Sequence, residues 1–157
     1  MAKATAQVVL SLIEADHRKV EKLFAEAEKA KGKKLYECFN QLYTELNLHA
    51  RGEELSLYPA MREYEETEDY IEEAESEHED SETMLEQLKQ MEPDSPAFME
   101  LLGELKAAVM HHVEEEESEI FEAVRECMDE DQLVQLGQEF EQAKARFVED
   151  VKVAMSQ

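Results

Sequence analysis

Residues 105–124 read LKAAVMHHVEEEESEIFEAV, and the reading of this stretch decides the fold. Leu105, Val109, His112, Glu116, Ile120 and Val124 recur at intervals of three and four, the period that gathers side chains on one face of an α-helix. A half-buried strand would alternate apolar and polar residues, and no such alternation runs here. The stripe is apolar at both ends but carries a histidine and a glutamate one turn apart in its middle. Whatever packs against this helix has to satisfy two polar groups inside a core.

Outward from that stretch, three more stripes carry a histidine in the same way. They are Ile13, His17 and Val20; Leu46, His49, Glu53 and Leu57; and Ala74, His78 and Leu85. Breaks at Gly32, around Glu65-Glu66-Thr67, at Pro93-Asp94-Ser95-Pro96 and near Met128-Asp129 predict five helices, at about 5–30, 34–63, 67–91, 96–127 and 130–154. Pro59 should kink the second helix or end it near Tyr58. The fifth helix has its own stripe, Leu133, Leu136, Phe140, Ala143, Phe147 and Val151, but no histidine. It is expected to pack along the bundle or form a dimer contact rather than to carry chemistry.

Four glycines, three prolines and no tryptophan in 157 residues, with Glu, Leu, Ala, Met and Lys dominant, point the same way. The expectation is an all-α single domain over 1–157, an antiparallel up-down-up-down four-helix bundle with an additional C-terminal helix. The four histidine-bearing helices would form its core, over about 5–127. A net charge of -24 disfavours a nucleic-acid partner or an anionic membrane, which need clustered Lys and Arg. No run approaches the roughly 18 apolar residues of a membrane span, and the N-terminal segment does not read as a signal peptide. A cytoplasmic location is expected, with Cys38 and Cys127 as buried thiols rather than a disulfide.

One core histidine on one helix is ordinary. Four, accompanied by Glu53 and Glu116, call for a shared cation, because a buried unpaired carboxylate costs several kcal/mol. Each histidine lies about 13 to 19 residues from the neighbouring breaks, roughly 20 to 28 Å of helix. Equal distances from the turns bring all four to one level of an up-down bundle. The i, i+4 pairs His49/Glu53 and His112/Glu116 stack nitrogen and oxygen donors one turn apart, so each glutamate could reach between two ions. His111, with Glu115 four residues on, falls in a polar frame and is assigned to the outside. Zincin spacing is absent. A ferritin-like reading through Glu14-x-x-His17 and Glu75-x-x-His78 would leave His49 and His112 without a role.

The runs LIEADHRKVEKLF, LNLHARGEELSLYPAM, EAESEHEDSETMLEQL and MHHVEEEESEIFEAV resemble the hemerythrin-like, or HHE cation-binding, family over about residues 8–127. The resemblance implies a non-haem diiron centre with two iron ions, usually beside an oxo or hydroxo group. His17 and His49 would bind one ion, His78 and His112 the other, and Glu53 and Glu116 would bridge. A small diatomic ligand or peroxide is the partner expected, in a monomer or homodimer. Oxygen-carrying members have a fifth histidine, His-x-x-x-His, where this chain has Ala74 four residues before His78. Either a coordination position is open or a carboxylate such as Glu14, Glu75 or Glu82 fills it. Tyr43 and Tyr58 are further candidates for hydrogen bonding a bound ligand. The function expected is binding of, or reaction with, O2, peroxide or nitric oxide. Iron handling, iron or oxygen sensing, and repair of damaged iron-sulfur centres are the alternatives. Because imidazole must be neutral to bind metal, occupancy is expected to fall below about pH 6.

Overall fold

In a computed structural model describing residues 8–156, the quoted stretch forms one wall of a helical bundle with no strand among the described residues. The first long helix, α1, is Val9–Lys29; residues 5–7, included in its expected span, lie outside the described residues. It is followed by α2 (Gly32–Leu55), the short α3 (Leu57–Met61) and α4 (Glu65–Glu68), and then α5 (Ile71–Lys89) and α6 (Pro96–Glu115). A π-helical turn over Glu116–Ile120 joins α6 to α7 (Phe121–Cys127), and α8 is Glu130–Ser156.

The turns are built as their residues demand. Gly32 takes a left-handed φ of 56°, and its N–H donates to the Asp94 side chain. This ties the α1–α2 turn to the α5–α6 turn at one end of the bundle. Ser95 caps α6 by accepting from the Phe98 N–H at 3.1 Å, with Pro96 at the first helical position. Asp129 caps α8 by accepting from the Gln132 N–H at 2.8 Å.

Two expected helices are interrupted. The second breaks at Ser56, two residues before Tyr58, with φ -129° and ψ -77°. Pro59 has no N–H for the Leu55 carbonyl, and its ring would collide with that carbonyl in a continuous helix. Breaking at Ser56 instead places Pro59 in the first turn of α3, where the missing N–H costs nothing. The Ser56 hydroxyl donates to the Gly52 carbonyl at 2.6 Å. The third expected helix is likewise divided, into α4 and α5. Buried Thr67 ties α4 back to the end of α3 by donating to the Met61 carbonyl at 2.7 Å.

Apolar side chains form two separate blocks. One, containing Phe24, Leu35, Leu42, Leu85, Phe98 and Leu105, fills the end of the bundle near Gly32 and Asp94. The other, containing Ile13, Leu57, Tyr58, Ala74, Ile120 and Phe140, fills the opposite end. The polar residues singled out from sequence belong to neither block. Helix α8 lies along α1 and α2, as one of the two expectations for it held. Its approach requires Gly52, since a Cβ there would stand 2.6 Å from the Phe140 ring. Both cysteines are free thiols; Cys38 is buried and Cys127 is half-buried.

Candidate metal centre

Helices α1, α2, α5 and α6 each deliver a histidine to the level between the apolar blocks. His17 comes from α1, His49 with Glu53 from α2, His78 from α5 and His112 from α6; Glu116 opens the π turn. All six are buried, the two glutamates completely. His17 and His49 lie with ring centroids 5.0 Å apart, as do His78 and His112. Donor atoms of His17, His49 and Glu116 fall within 4.8 Å of one another, and those of Glu53, His78 and His112 do the same. Glu53 Oε1 is 3.4 Å from His49 Nε2 and 3.1 Å from His78 Nε2, so it stands between the two histidine pairs. Glu116 matches it on the other side, with Oε1 3.0 Å from His17 Nε2 and Oε2 3.7 Å from His112 Nε2.

The π turn has a positional consequence. Its Phe121 N–H donates to the Glu116 carbonyl five residues back, which adds one residue to the turn. Glu116 faces inward, while Glu117 reaches the outer edge of His17 and also bonds Arg18. Consecutive residues thus serve both nitrogens of one imidazole.

Every site histidine is held at Nδ1 by a carboxylate from a neighbouring helix. Glu117 accepts from His17 at 2.6 Å, Asp16 from His49 at 2.9 Å, Glu54 from His78 at 3.2 Å and Glu77 from His112 at 2.6 Å. A proton on Nδ1 leaves the Nε2 lone pair free and aimed inward. Nε2 of His17, His49 and His112, Oε2 of Glu53 and both oxygens of Glu116 are buried without a hydrogen-bond partner. Buried polar atoms are normally paired. Six unpaired nitrogen and oxygen donors converge from four elements, and a transition-metal cation fits that donor set.

Charge tells the same story. Burial disfavours the charged form of His49, but Glu53, Asp16 and Glu116 outweigh it and raise its pKa to about 10. His78 is raised to about 9 against the same burial, by Glu53 and Glu54, and His112 is raised by Glu116 and Glu77. Burial would also push Glu53 up, yet the surrounding imidazoles hold it well below the usual carboxylate range. Burial and the charge of Glu53 together raise Glu116. Without a cation, protons take up the work of compensating this charge.

The outer carboxylates were not found from sequence, although a signal exists. Asp16 precedes His17, Glu54 follows Glu53, Glu77 precedes His78 and Glu117 follows Glu116. Each stands beside a residue of the centre but serves the histidine of another helix. Also unforeseen is the part of α8. Lys144 donates to both Asp16 oxygens at 2.9 Å, and the Phe140 ring packs edge-on against His49, 5.8 Å between centroids.

The remaining candidates separate cleanly. The His111 side chain is 66% exposed and pairs with Glu115 at 2.5 Å, outside the centre as expected. Glu14 is exposed and Glu75 bonds Arg62, so neither fills the position of the absent histidine. Glu82 lines a cavity of about 40 Å³ that the four histidines border and Leu46, Leu85, Val109 and Val113 wall. Tyr43 is turned away and donates to Glu86, whereas the Tyr58 hydroxyl lies against Glu53 and His78.

A curated relative, named DNA nickase, from Nostoc sp. (strain PCC 7120 / SAG 25.82 / UTEX 2576), is 35% identical over 143 aligned residues, covering 88% of this chain and 39% of the relative. This chain thus corresponds to well under half of that protein. No solved structure shows a significant match. The family description that matches residues 8–124, spanning α1 to the middle of α7, is the hemerythrin HHE cation-binding domain, and with these residues in this arrangement the chain belongs to that family.

Proposed function

We propose that the protein is a non-haem diiron protein that binds or reacts with a small oxidant, O2, peroxide or nitric oxide, inside the bundle. His17, His49 and Glu116 would hold one ion and Glu53, His78 and His112 the other, with each glutamate shared between them. The observation that carries this reading is the convergence of unpaired Nε2 and carboxylate oxygen atoms between two apolar blocks. A pair of iron ions bound there would supply redox chemistry and an available coordination position to a small ligand.

The protein's own contribution is selection and orientation. The cavity has room for roughly three waters, one water needing about 15 Å³ by this measure, so it admits molecules of a few heavy atoms. Leu46, Leu85, Val109 and Val113 give it an apolar wall opposite the polar donors of the four histidines, which suits a small ligand of low polarity. The four outer carboxylates fix the imidazole rings and increase their basicity toward a cation. Free thiols at Cys38 and Cys127 support a cytoplasmic location.

DNA cleavage is not carried over from the relative. A chain of net charge -24 offers poor footing for phosphates, and a phosphodiester backbone does not fit the cavity described. A sensing role is favoured by one specific feature, the contact of α8 with His49 through Phe140 and, by way of Asp16, Lys144. In that reading metal occupancy sets how firmly α8 docks.

Iron loading followed by azide titration tests the main reading. Two irons per chain, with oxo-bridged diiron absorption that azide perturbs, are expected. Protein that takes up no iron, or iron that azide leaves spectrally unchanged, would refute a ligand-accessible diiron centre.

A further inference from the structure

Glu82 stands at the boundary between the cavity and solvent. The α1 and α6 wall of the cavity is closed by Val20, Val109 and Val113, all buried, whereas its α2 and α5 wall includes Asn47, Ser81 and Glu82, all half-buried. Helix α2 packs mainly on α1 and α8, and α5 mainly on α6, which leaves the seam between α2 and α5 thinly filled. The cavity therefore comes nearest to solvent along that seam. Glu82 also lines a groove on the outer face of α5, together with Glu79, Glu86 and Gln90. Among the described residues, no other lines both.

The charge of Glu82 is uncommitted. Glu77, the other carboxylate of the cavity wall, accepts from His112, and nearby Glu54 is shared between His78 and Arg51. Glu82 forms no hydrogen bond or ion pair with a described residue. Burial and the like charge of Glu54 raise its pKa, against the pull of Arg51 and His78, so its field reaches from the mouth of the cavity to the centre. A carboxylate without a partner sets its whole charge against whatever passes, and a partly desolvated charge acts more strongly than one in bulk water. We propose that Glu82 is the charge filter of the cavity, slowing anions while neutral diatomics and hydrogen peroxide pass. The proposal rests on the diiron reading and adds which small molecules reach that centre fastest. It concerns passage alone, and no bond is made or broken at Glu82.

The test mixes iron-loaded protein at pH 8 with azide, an anion, or nitric oxide, a neutral diatomic, and follows association by stopped flow. Unsubstituted protein is compared with Glu82→Gln, which keeps the size of the side chain, and with Glu79→Gln, which removes one charge from the same outer groove without touching the cavity wall. Azide is expected to associate about tenfold faster with Glu82→Gln, the order set by a unit charge a few ångström from the path. Nitric oxide should associate at an unchanged rate, and Glu79→Gln should leave both rates close to those of the unsubstituted protein. An azide rate unchanged by Glu82→Gln, equal acceleration of azide and nitric oxide, or the same gain in Glu79→Gln would overturn the proposal. Metal-free crystals give a reading that needs no iron. Xenon is expected in the cavity at equal occupancy in the unsubstituted protein and Glu82→Gln, and bromide, located by its anomalous signal, at higher occupancy in Glu82→Gln. Equal bromide occupancy, or xenon that rises with bromide, would overturn the proposal. Failure of the unsubstituted protein to load iron defeats the diiron reading and leaves the crystal comparison to decide the role of Glu82.

Discussion

His112 Nδ1 lies 2.6 Å from Oε1 of Glu77, a residue that stands next to His78 on the neighbouring helix. The same arrangement runs around the bundle. Asp16, beside His17, holds His49; Glu54, beside Glu53, holds His78; and Glu117, beside Glu116, holds His17. Helices α1, α2 and α5 and the π turn thus each orient the imidazole presented by another helix, so the centre and the packing of the bundle are specified together. Removing one outer carboxylate should loosen a ring without unfolding the chain. Glu77→Ala is expected to weaken metal binding by about 10–100-fold, the usual effect of losing such a partner. Competition with a chelator of known affinity measures it, and an unchanged affinity would show that Glu77 does not support the site.

Glu53 and Glu116 are fully buried and oppose each other electrostatically when no cation is present. Glu116→Gln removes one buried carboxylate and a donor. The metal-free variant is expected to melt at a temperature equal to or above that of metal-free unsubstituted protein, while its iron content falls below two per chain. Thermal denaturation with and without iron, alongside metal analysis, distinguishes this from general destabilisation, in which both forms would melt lower.

Glu53, together with the outer carboxylates, bears on the expected pH dependence. His49 is raised to about 10 and His78 to about 9 in the metal-free protein. A histidine whose folded pKa exceeds its unfolded value, about 6.5, stabilises fully below the latter and loses that contribution as pH rises through the folded value. Metal-free protein should therefore become less stable from about pH 7 to pH 10. Protons compete with metal across the same window, well above the pH 6 expected from sequence. Adding ferrous iron at pH 7 in weak buffer should release protons, read with an indicator dye; loading without release would contradict the protonation described.

Gly52 lies where α8 packs closely against α2. A Cβ there would meet the Phe140 ring at 2.6 Å, and Lys144 Cγ at 3.2 Å, and the ring itself packs against His49. Gly52→Ala is expected to destabilise by about 1–3 kcal/mol, as overpacking does, lowering Tm by several degrees. Paired with Phe140→Leu, which relieves the collision, the loss should be largely recovered. A Gly52→Ala protein as stable as the original would mean that α8 does not dock this closely.

The parts of the molecule legible in sequence were those written in a single helix. The stripes of α1, α2, α5 and α6 announced the bundle, and the interruption of those stripes by His17, His49, Glu53, His78, His112 and Glu116 announced the residues that the fold brings together. Features depending on contact between helices were not legible. Asp16, Glu54, Glu77 and Glu117 look like part of a solvated acidic face, because the imidazole each one serves is remote in sequence. Lys144 and Phe140 sit on a helix with no histidine of its own. The displacement of the Pro59 break to Ser56 depended on relieving a carbonyl collision, and the π turn at Glu116 on giving Glu116 and Glu117 different partners. Neither has a residue pattern that distinguishes it from an ordinary helical run.

Diffraction from iron-loaded crystals, with anomalous difference maps calculated on either side of the iron edge, tests the two-ion centre most directly. Two iron peaks are predicted at the level between the apolar blocks, one beside His17 and His49 and one beside His78 and His112, with Glu53 and Glu116 in contact with both. A single peak among the six residues, or iron bound only at exposed carboxylates, would contradict it.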